Sequence, residues 1–201
     1  TNGLYLHFLS PDRGMIFYTP IMLFGFLGMI LAIRKKFPLT RLLVAIIGTN
    51  VILYSMWGDP WGGWAFGSRY LIPVYALLSI FIAVFLSKFQ KNFLALLLFL
   101  VISAYSIFVN SLGAITTSAN PPQLEVLSIE KLSGREEKYT FLRNYDFLLD
   151  DHSKSFVFRA FAKNYLMAWQ YQFMLFTIIF VFLSSLIFAN FFLKRKLDAK
   201  G

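Results

Sequence analysis

The sequence predicts an all-α integral membrane protein, a polytopic helix bundle with five transmembrane helices. Three observations carry that prediction. Of the 201 residues, 58% are hydrophobic and 14% charged, whereas an average soluble domain is about 45–50% apolar and about 25% charged. Five apolar stretches approach or reach bilayer length without an ionisable residue inside any of them. The Lys and Arg residues between those stretches collect on alternate sides. The mean hydropathy is +0.63, more apolar surface than a soluble globule of this size hides. With 12 Gly, 7 Pro and no Cys, the chain is not collagen-like, disordered or a disulfide scaffold. The lack of Cys fits any compartment.

A helix needs about 20 apolar residues, with about 17–25 as the usual range, to cross about 30 Å of hydrocarbon. The stretches are Met15–Ile33, Leu42–Trp57, Leu71–Leu86, Phe93–Leu112 and Phe173–Leu193. The second and third are 16 residues each, and Arg41 and Lys88 extend them by snorkelling. Gly25, Gly28, Gly48, Thr49 and Asn50 within the spans fit close helix contacts better than chemistry. The chain divides into residues 1–113 (four helices with short outer loops), 114–171 (an outer segment) and 172–201 (the last helix and a basic tail). In the outer segment, Thr116 to Pro122 is a turn-rich linker. Phe141, Tyr145, Leu148 and Leu149 recur at helical spacing, and Phe156, Phe158, Phe161 and Tyr165 are similarly placed around Arg159 and Lys163. These read as short helices lying along the membrane interface, apolar side down, or as an irregular capping loop.

Charge sets the orientation. One side carries Arg34, Lys35, Lys36, Arg41, Lys88, Lys91, Lys194, Arg195, Lys196 and Lys200 against the single acid Asp198. The other side carries nine basic and nine acidic residues, among them Arg135, Glu136, Glu137, Lys138 and Lys154. The whole formal charge of +9 therefore falls on one side. Short cytoplasmic loops retain Lys and Arg, so that side is cytoplasmic and the C-terminus lies inside. Lys194 to Lys196 is a stop-transfer cluster facing anionic lipid, which makes lipid and not nucleic acid its partner. Five spans place residue 1 outside. With no initiating Met and no signal-peptide pattern, the chain reads as the C-terminal part of a longer protein.

No ionisable group lies at depth, which weakens pump, antiporter and channel readings. Chemistry is expected at the outer interface, where two patches stand out. Ser10-Pro11-Asp12-Arg13-Gly14 forms a turn just before the first span, with Pro20 in that span's first turns, where a missing donor costs little. Trp57-Gly58-Asp59-Pro60-Trp61-Gly62-Gly63-Trp64 runs on to Gly67-Ser68-Arg69-Tyr70 before the third span. A guanidinium suits phosphate oxygens and keeps its charge in a partly dry site. Arg13 and Arg69 are thus candidates for a lipid phosphate, with Asp12 and Asp59 as ion-pair partners or sugar-hydroxyl acceptors. Taken singly, Trp57, Trp61 and Trp64 fit the aromatic belt of a membrane interface. Clustered with glycines, Arg69 and Tyr70, they fit the wall of a sugar or prenyl pocket. His7 and His152 are isolated polar side chains, and Asp150-Asp151-His152 is a solvated loop. No spacing resembles a metal site, a phosphate loop or a nucleophile elbow.

The two patches together resemble a late segment of bacterial polytopic glycosyltransferases of the GT-C type. That family includes protein mannosyltransferases and the aminoarabinose transferase of lipid A. The likeness rests on Ser10–Pro20 and Trp57–Pro73, under a fifth of the chain. It implies transfer of a hexosyl or pentosyl group from a polyprenyl-phosphate donor, with no certain cofactor, to an acceptor glycan, lipid or protein at the outer face. The acceptor hydroxyl or amine attacks the anomeric carbon and the lipid phosphate leaves. By analogy, Arg13 and Arg69 stabilise that phosphate as its charge develops. The family's usual catalytic acid lies in a first external loop outside the matched residues, so neither Asp12 nor Asp59 is assigned as the base. The expected setting is a bacterial inner membrane. The alternative from a different class is a non-catalytic membrane assembly or scaffold module, with a transporter subunit as a third reading ranked behind it.

Overall fold

The computed structural model describes residues 2–134, 140–149 and 156–198. Residues Arg135, Glu136, Glu137, Lys138, Asp150, Asp151, His152, Lys154 and Lys200 lie outside the described residues, as do the side chains of Lys194, Arg195 and Lys196. The described chain is helical and contains no strand. In order come α1 (Gly3–Phe8), α2 (Met15–Tyr18), α3 (Met22–Arg34), α4 (Thr40–Ser55), α5 (Ile72–Phe89), α6 (Phe93–Ile115), α7 (Gln123–Ser133), α8 (Leu142–Leu149) and α9 (Ala168–Asp198). A short 3₁₀ turn (Arg69–Leu71) leads into α5, and a π-helical turn (Phe158–Ala162) precedes α9.

Among the described residues, three helices are long and apolar enough to cross a membrane: Arg69–Phe89, Phe93–Ile115 and Ala168–Ala189, at 21, 23 and 22 residues. The expected five are not all of that kind. Helices α3 and α4 have 13 and 16 residues. At about 1.5 Å per residue they reach only about 20 and 24 Å, short of the roughly 30 Å core. The expected first span, Met15–Ile33, is broken. Pro20 has no N–H and disfavours the helical conformation in the residue before it. Thr19 accordingly sits at φ −147°, ψ 54° and ends α2. Pro20 is therefore a breaker and not a tolerated first-turn residue.

The break leaves backbone groups that need partners in an apolar setting. Helix α6 supplies them. The Asn110 amide donates to the Tyr18 carbonyl at 2.8 Å, the Tyr105 hydroxyl donates to the Phe17 carbonyl at 2.9 Å, and the Ile21 N–H donates to Ser106 Oγ at 3.2 Å. Three polar residues of α6 thus match one break in another helix.

Helix starts follow from local chemistry. Asn2 caps α1, its Oδ1 accepting from the N–H groups of Leu4 and Tyr5, and Asn92 caps α6 by accepting from Ala95. Each cap satisfies amide donors with no partner inside their helix. Pro73 occupies the first turn of α5, where no N–H is required. Gly134, in the left-handed conformation, ends α7.

Helix α3 packs along α5. A Cβ at Gly28 would overlap the Phe81 carbonyl oxygen, and one at Gly25 would come within 2.9 Å of Leu78. The expected close-contact role holds at these two glycines. Gly48 of α4 has open space where a Cβ would stand. Ala32, Ile47, Leu71, Val74, Leu78 and Phe81 fill the core between α3, α4 and α5, and Phe24, Ile82, Phe85 and Phe99 join it to α6.

The outer segment is not a simple interfacial strip. The buried side of α8 carries Asn144 and Leu148 and faces protein. Leu148 packs with Leu112, Phe158, Ala162 and Ala168 across the ends of α6 and α9. In the linker, Thr116, Thr117 and Asn120 are buried, and Ser118 and Ala119 are exposed.

Candidate functional site

The start of α3, the end of α4, the start of α5 and the end of α6 meet at one end of the bundle. The Ser10–Gly14 turn, the Trp-rich loop and the linker after α6 gather there. Arg13 holds them together. It is 1% exposed. One Nη donates to the Trp61 carbonyl, and the other donates to the Asn120 carbonyl at 2.9 Å. Its guanidinium also lies over the Trp61 ring, 5.4 Å from the centroid. The Ala65 N–H donates to the same Asn120 carbonyl at 3.0 Å.

Asn120 is tied in turn to α8. Its side-chain amide donates to Asn144 Oδ1 at 2.9 Å, and the Asn144 amide donates to Thr116 Oγ1 and the Thr117 carbonyl at 2.8 and 2.6 Å. Three buried polar atoms in this knot lack a partner: Arg13 Nε, Trp61 Nε1 and Asn120 Oδ1. Two donors and one acceptor left bare beside a buried cation make the knot polar but incompletely satisfied.

The expected carboxylate partners do not pair with the arginines. Asp59 turns into its own loop, its two carboxylate oxygens accepting from the N–H groups of Trp61 and Gly63, each at 3.1 Å. That contact holds Gly62 and Gly63 at φ +68° and +65°, a left-handed pair that favours glycine. Asp12 contributes backbone: its carbonyl accepts from the Tyr18 hydroxyl at 2.8 Å and its N–H donates to Ser10 Oγ at 3.1 Å. Burial pushes the Asp12 carboxyl above its ordinary range, against the Ser10 hydrogen bond and the Arg13 charge. Burial also pulls the Arg13 guanidinium down to about 10, opposed by Tyr18 and Asp59 and reinforced by the Arg69 charge.

Arg69 is the complement of Arg13. It is exposed, and its guanidinium makes no hydrogen bond or ion pair with described residues. Its guanidinium sits 5.6 Å from the Tyr70 ring. A Cβ at Gly62 would lie 3.2 Å from Arg69 Nε. Arg13 grips the carbonyl of the preceding residue, so the two arginines flank the Trp61–Gly62 backbone.

The tryptophans separate into three environments. Trp61 is buried beneath Arg13, so it forms no wall. Trp64 is exposed, donates its indole N–H to Glu125 of α7, and has the Arg143 guanidinium 5.9 Å from its ring. Trp57 is exposed at the end of α4. Tyr70 stacks on Tyr54 with centroids 4.6 Å apart and planes 7° from parallel.

His7 is a site residue that the sequence did not reveal. It is buried, with Nε2 3.3 Å from the Tyr54 carbonyl and Nδ1 2.6 Å from Ser68 Oγ. A carbonyl only accepts, so Nε2 carries the proton and the Ser68 hydroxyl donates to Nδ1 of the neutral ring. Burial holds the imidazole below its ordinary value, against the opposing Tyr54 hydrogen bond. The latch fixes Ser68, the residue before Arg69. Nothing in the local sequence around His7 points to it, because its partners are 47 and 61 residues away.

An apolar groove of about 500 Å³ opens between α3 and α4. Phe26, Ile47, Gly48 and Val51 line it, and it reaches Leu9 and Met15, which flank the Ser10–Gly14 turn. Among the described residues, no group of three or more His, Asp or Glu side chains could hold a metal ion. No protein-family model, curated protein or solved structure matches the chain.

Proposed function

We propose that this chain acts as part of a membrane glycosyltransferase, moving a sugar from a polyprenyl-phosphate donor to an acceptor at the outer membrane face. The observation that carries the reading is Arg69. It is an exposed guanidinium with no carboxylate partner among the described residues, set beside the Trp61–Gly62 backbone that a buried second cation grips. A phosphate leaving group gains from such charge as its own develops. Arg69 contacts the phosphate in this reading, and Arg13 acts through the loop it locks and through its field. The apolar groove beside the Ser10–Gly14 turn accepts the hydrocarbon part of the donor. Trp57 and Tyr70 lie close in sequence to Arg69 and suit a sugar ring.

In the same reading the bundle is polytopic. Helix α2 in series with α3, and α4, complete five crossings with the three long helices. The basic turns and tail face the cytoplasm of a bacterial inner membrane. Replacing Arg69 by Ala in the full-length protein, assayed with a polyprenyl-phosphate sugar, tests the proposal. Transfer is lost while membrane insertion and thermal stability are kept. Arg69→Lys restores only part of the activity, because an ammonium lacks the planar fork. Unchanged transfer by Arg69→Ala overturns the role of Arg69.

A further inference from the structure

The π-helical turn before α9 presents two unlike faces. Phe158 and Ala162 turn inward onto Leu112, Leu148 and Ala168. Phe156, Phe161, Tyr165, Met167 and Trp169 turn outward, with Phe161 at 72% and Tyr165 at 84% exposed. Five large apolar or amphipathic side chains within 14 residues are thus each more than half exposed.

We propose that this face docks into the headgroup and acyl-chain boundary of a bilayer containing anionic lipid, as a shallow membrane anchor for the outer segment. Two features favour lipid over a protein partner. The first is continuity. The face runs directly into α9, whose exposed Phe173, Ile178 and Val181 belong to a helix long and apolar enough to span a membrane. The second is charge. Residues 156–169 carry Arg159 and Lys163, both exposed, and no acid. Aromatic side chains interleaved with cations match the headgroup layer, where rings sit at the interface and Lys or Arg meets lipid phosphate. Helix α8 lacks this arrangement, since its exposed side pairs Leu142 with an acid, Asp146. The anchor therefore belongs to the second outer segment alone.

The proposal rests on the reading of α9 as a membrane span, and one experiment tests both separately. The chain has no cysteine, so single cysteines can be spin-labelled without background. Phe161→Cys and Tyr165→Cys report on the face, Val181→Cys on α9, and Lys131→Cys on the water-facing side of α7. Full-length protein is reconstituted in vesicles of phosphatidylethanolamine and phosphatidylglycerol. Collision with oxygen and with a water-soluble nickel chelate is then compared. Labels at 161 and 165 show an oxygen-to-nickel ratio at least about threefold above that at 131, as expected for side chains about 5–10 Å into the interface. Arg159→Glu with Lys163→Glu lowers the ratio in these vesicles. Ratios at 161 and 165 equal to that at 131, with 181 still in lipid, overturn the anchor alone. Shielding from both reagents with spin–spin broadening assigns the face to a second copy and overturns it as well. A water-accessible label at 181 overturns the membrane reading of α9 itself.

Discussion

Arg13 donates a hydrogen bond to the backbone carbonyl of Asn120 at 2.9 Å, across 107 residues of chain. Both partners are buried, and the same guanidinium holds the Trp61 carbonyl. One side chain thereby closes the Ser10–Gly14 turn, the Trp-rich loop and the linker after α6 into a single unit. Asn144 extends the unit to α8, and Phe158 and Ala162 seat α8 beside the π-helical turn.

Arg13→Met removes two charge-assisted hydrogen bonds and leaves two carbonyls without that donor. Hydrogen bonds to a charged group are worth about 1.5–3 kcal/mol each, and partial relaxation leaves an expected loss of about 2–4 kcal/mol. Thermal unfolding of the purified protein in detergent measures it. Arg13→Lys recovers only part, because a single ammonium does not span two carbonyls as the fork does. Equal stability of Arg13→Met and the parent would show that the cross-link contributes nothing.

The α3–α5 contact is tested by a pair of glycines. Gly28→Ala places a methyl group into the Phe81 carbonyl and forces the helices apart, at a cost of about 1–3 kcal/mol. Gly48→Ala meets open space. It is neutral or stabilising by up to about 1 kcal/mol through helix propensity. Melting temperatures of the two variants therefore move apart. A matching loss at both positions would mean that helix contact is not what Gly28 provides.

The His7 latch makes stability depend on pH. Burial lowers the native imidazole value, so as pH falls the unfolded chain takes up its proton first. The stabilisation is complete above the ordinary imidazole range, near about pH 6.5. It is lost as pH drops through that range towards the lowered native value. Tyr54 and Tyr70 are the titratable groups against the ring. The melting temperature thus falls from about pH 7.5 to about pH 5.5, and His7→Gln shows a shallower fall. Identical slopes would remove His7 as the source.

Much of the architecture was legible in the residues alone. Hydropathy located every long apolar helix, because burial in lipid requires an uninterrupted run. It did not locate the break at Thr19–Pro20. Pro is tolerated only in a helix's first turn, and Pro20 is the sixth residue from Met15. The helix therefore stops at Tyr18 and restarts at Met22, with Tyr105, Ser106 and Asn110 pairing the freed backbone groups. Spacing also marked the aromatic positions of the outer segment, but not which of them face protein.

The site divides along the same line. By itself the sequence determined composition, charge asymmetry between loops and the two motif patches, all of which are properties of near neighbours in the chain. Only the tertiary structure decided the roles within those patches. It buried Arg13 and left Arg69 exposed, turned Asp59 into its own loop, buried Trp61, and brought His7 to Ser68 and Asn120 to Asn144. The physical reason is that burial and hydrogen-bond partnership at this site are set by groups tens of residues apart, and local pattern carries no information about them.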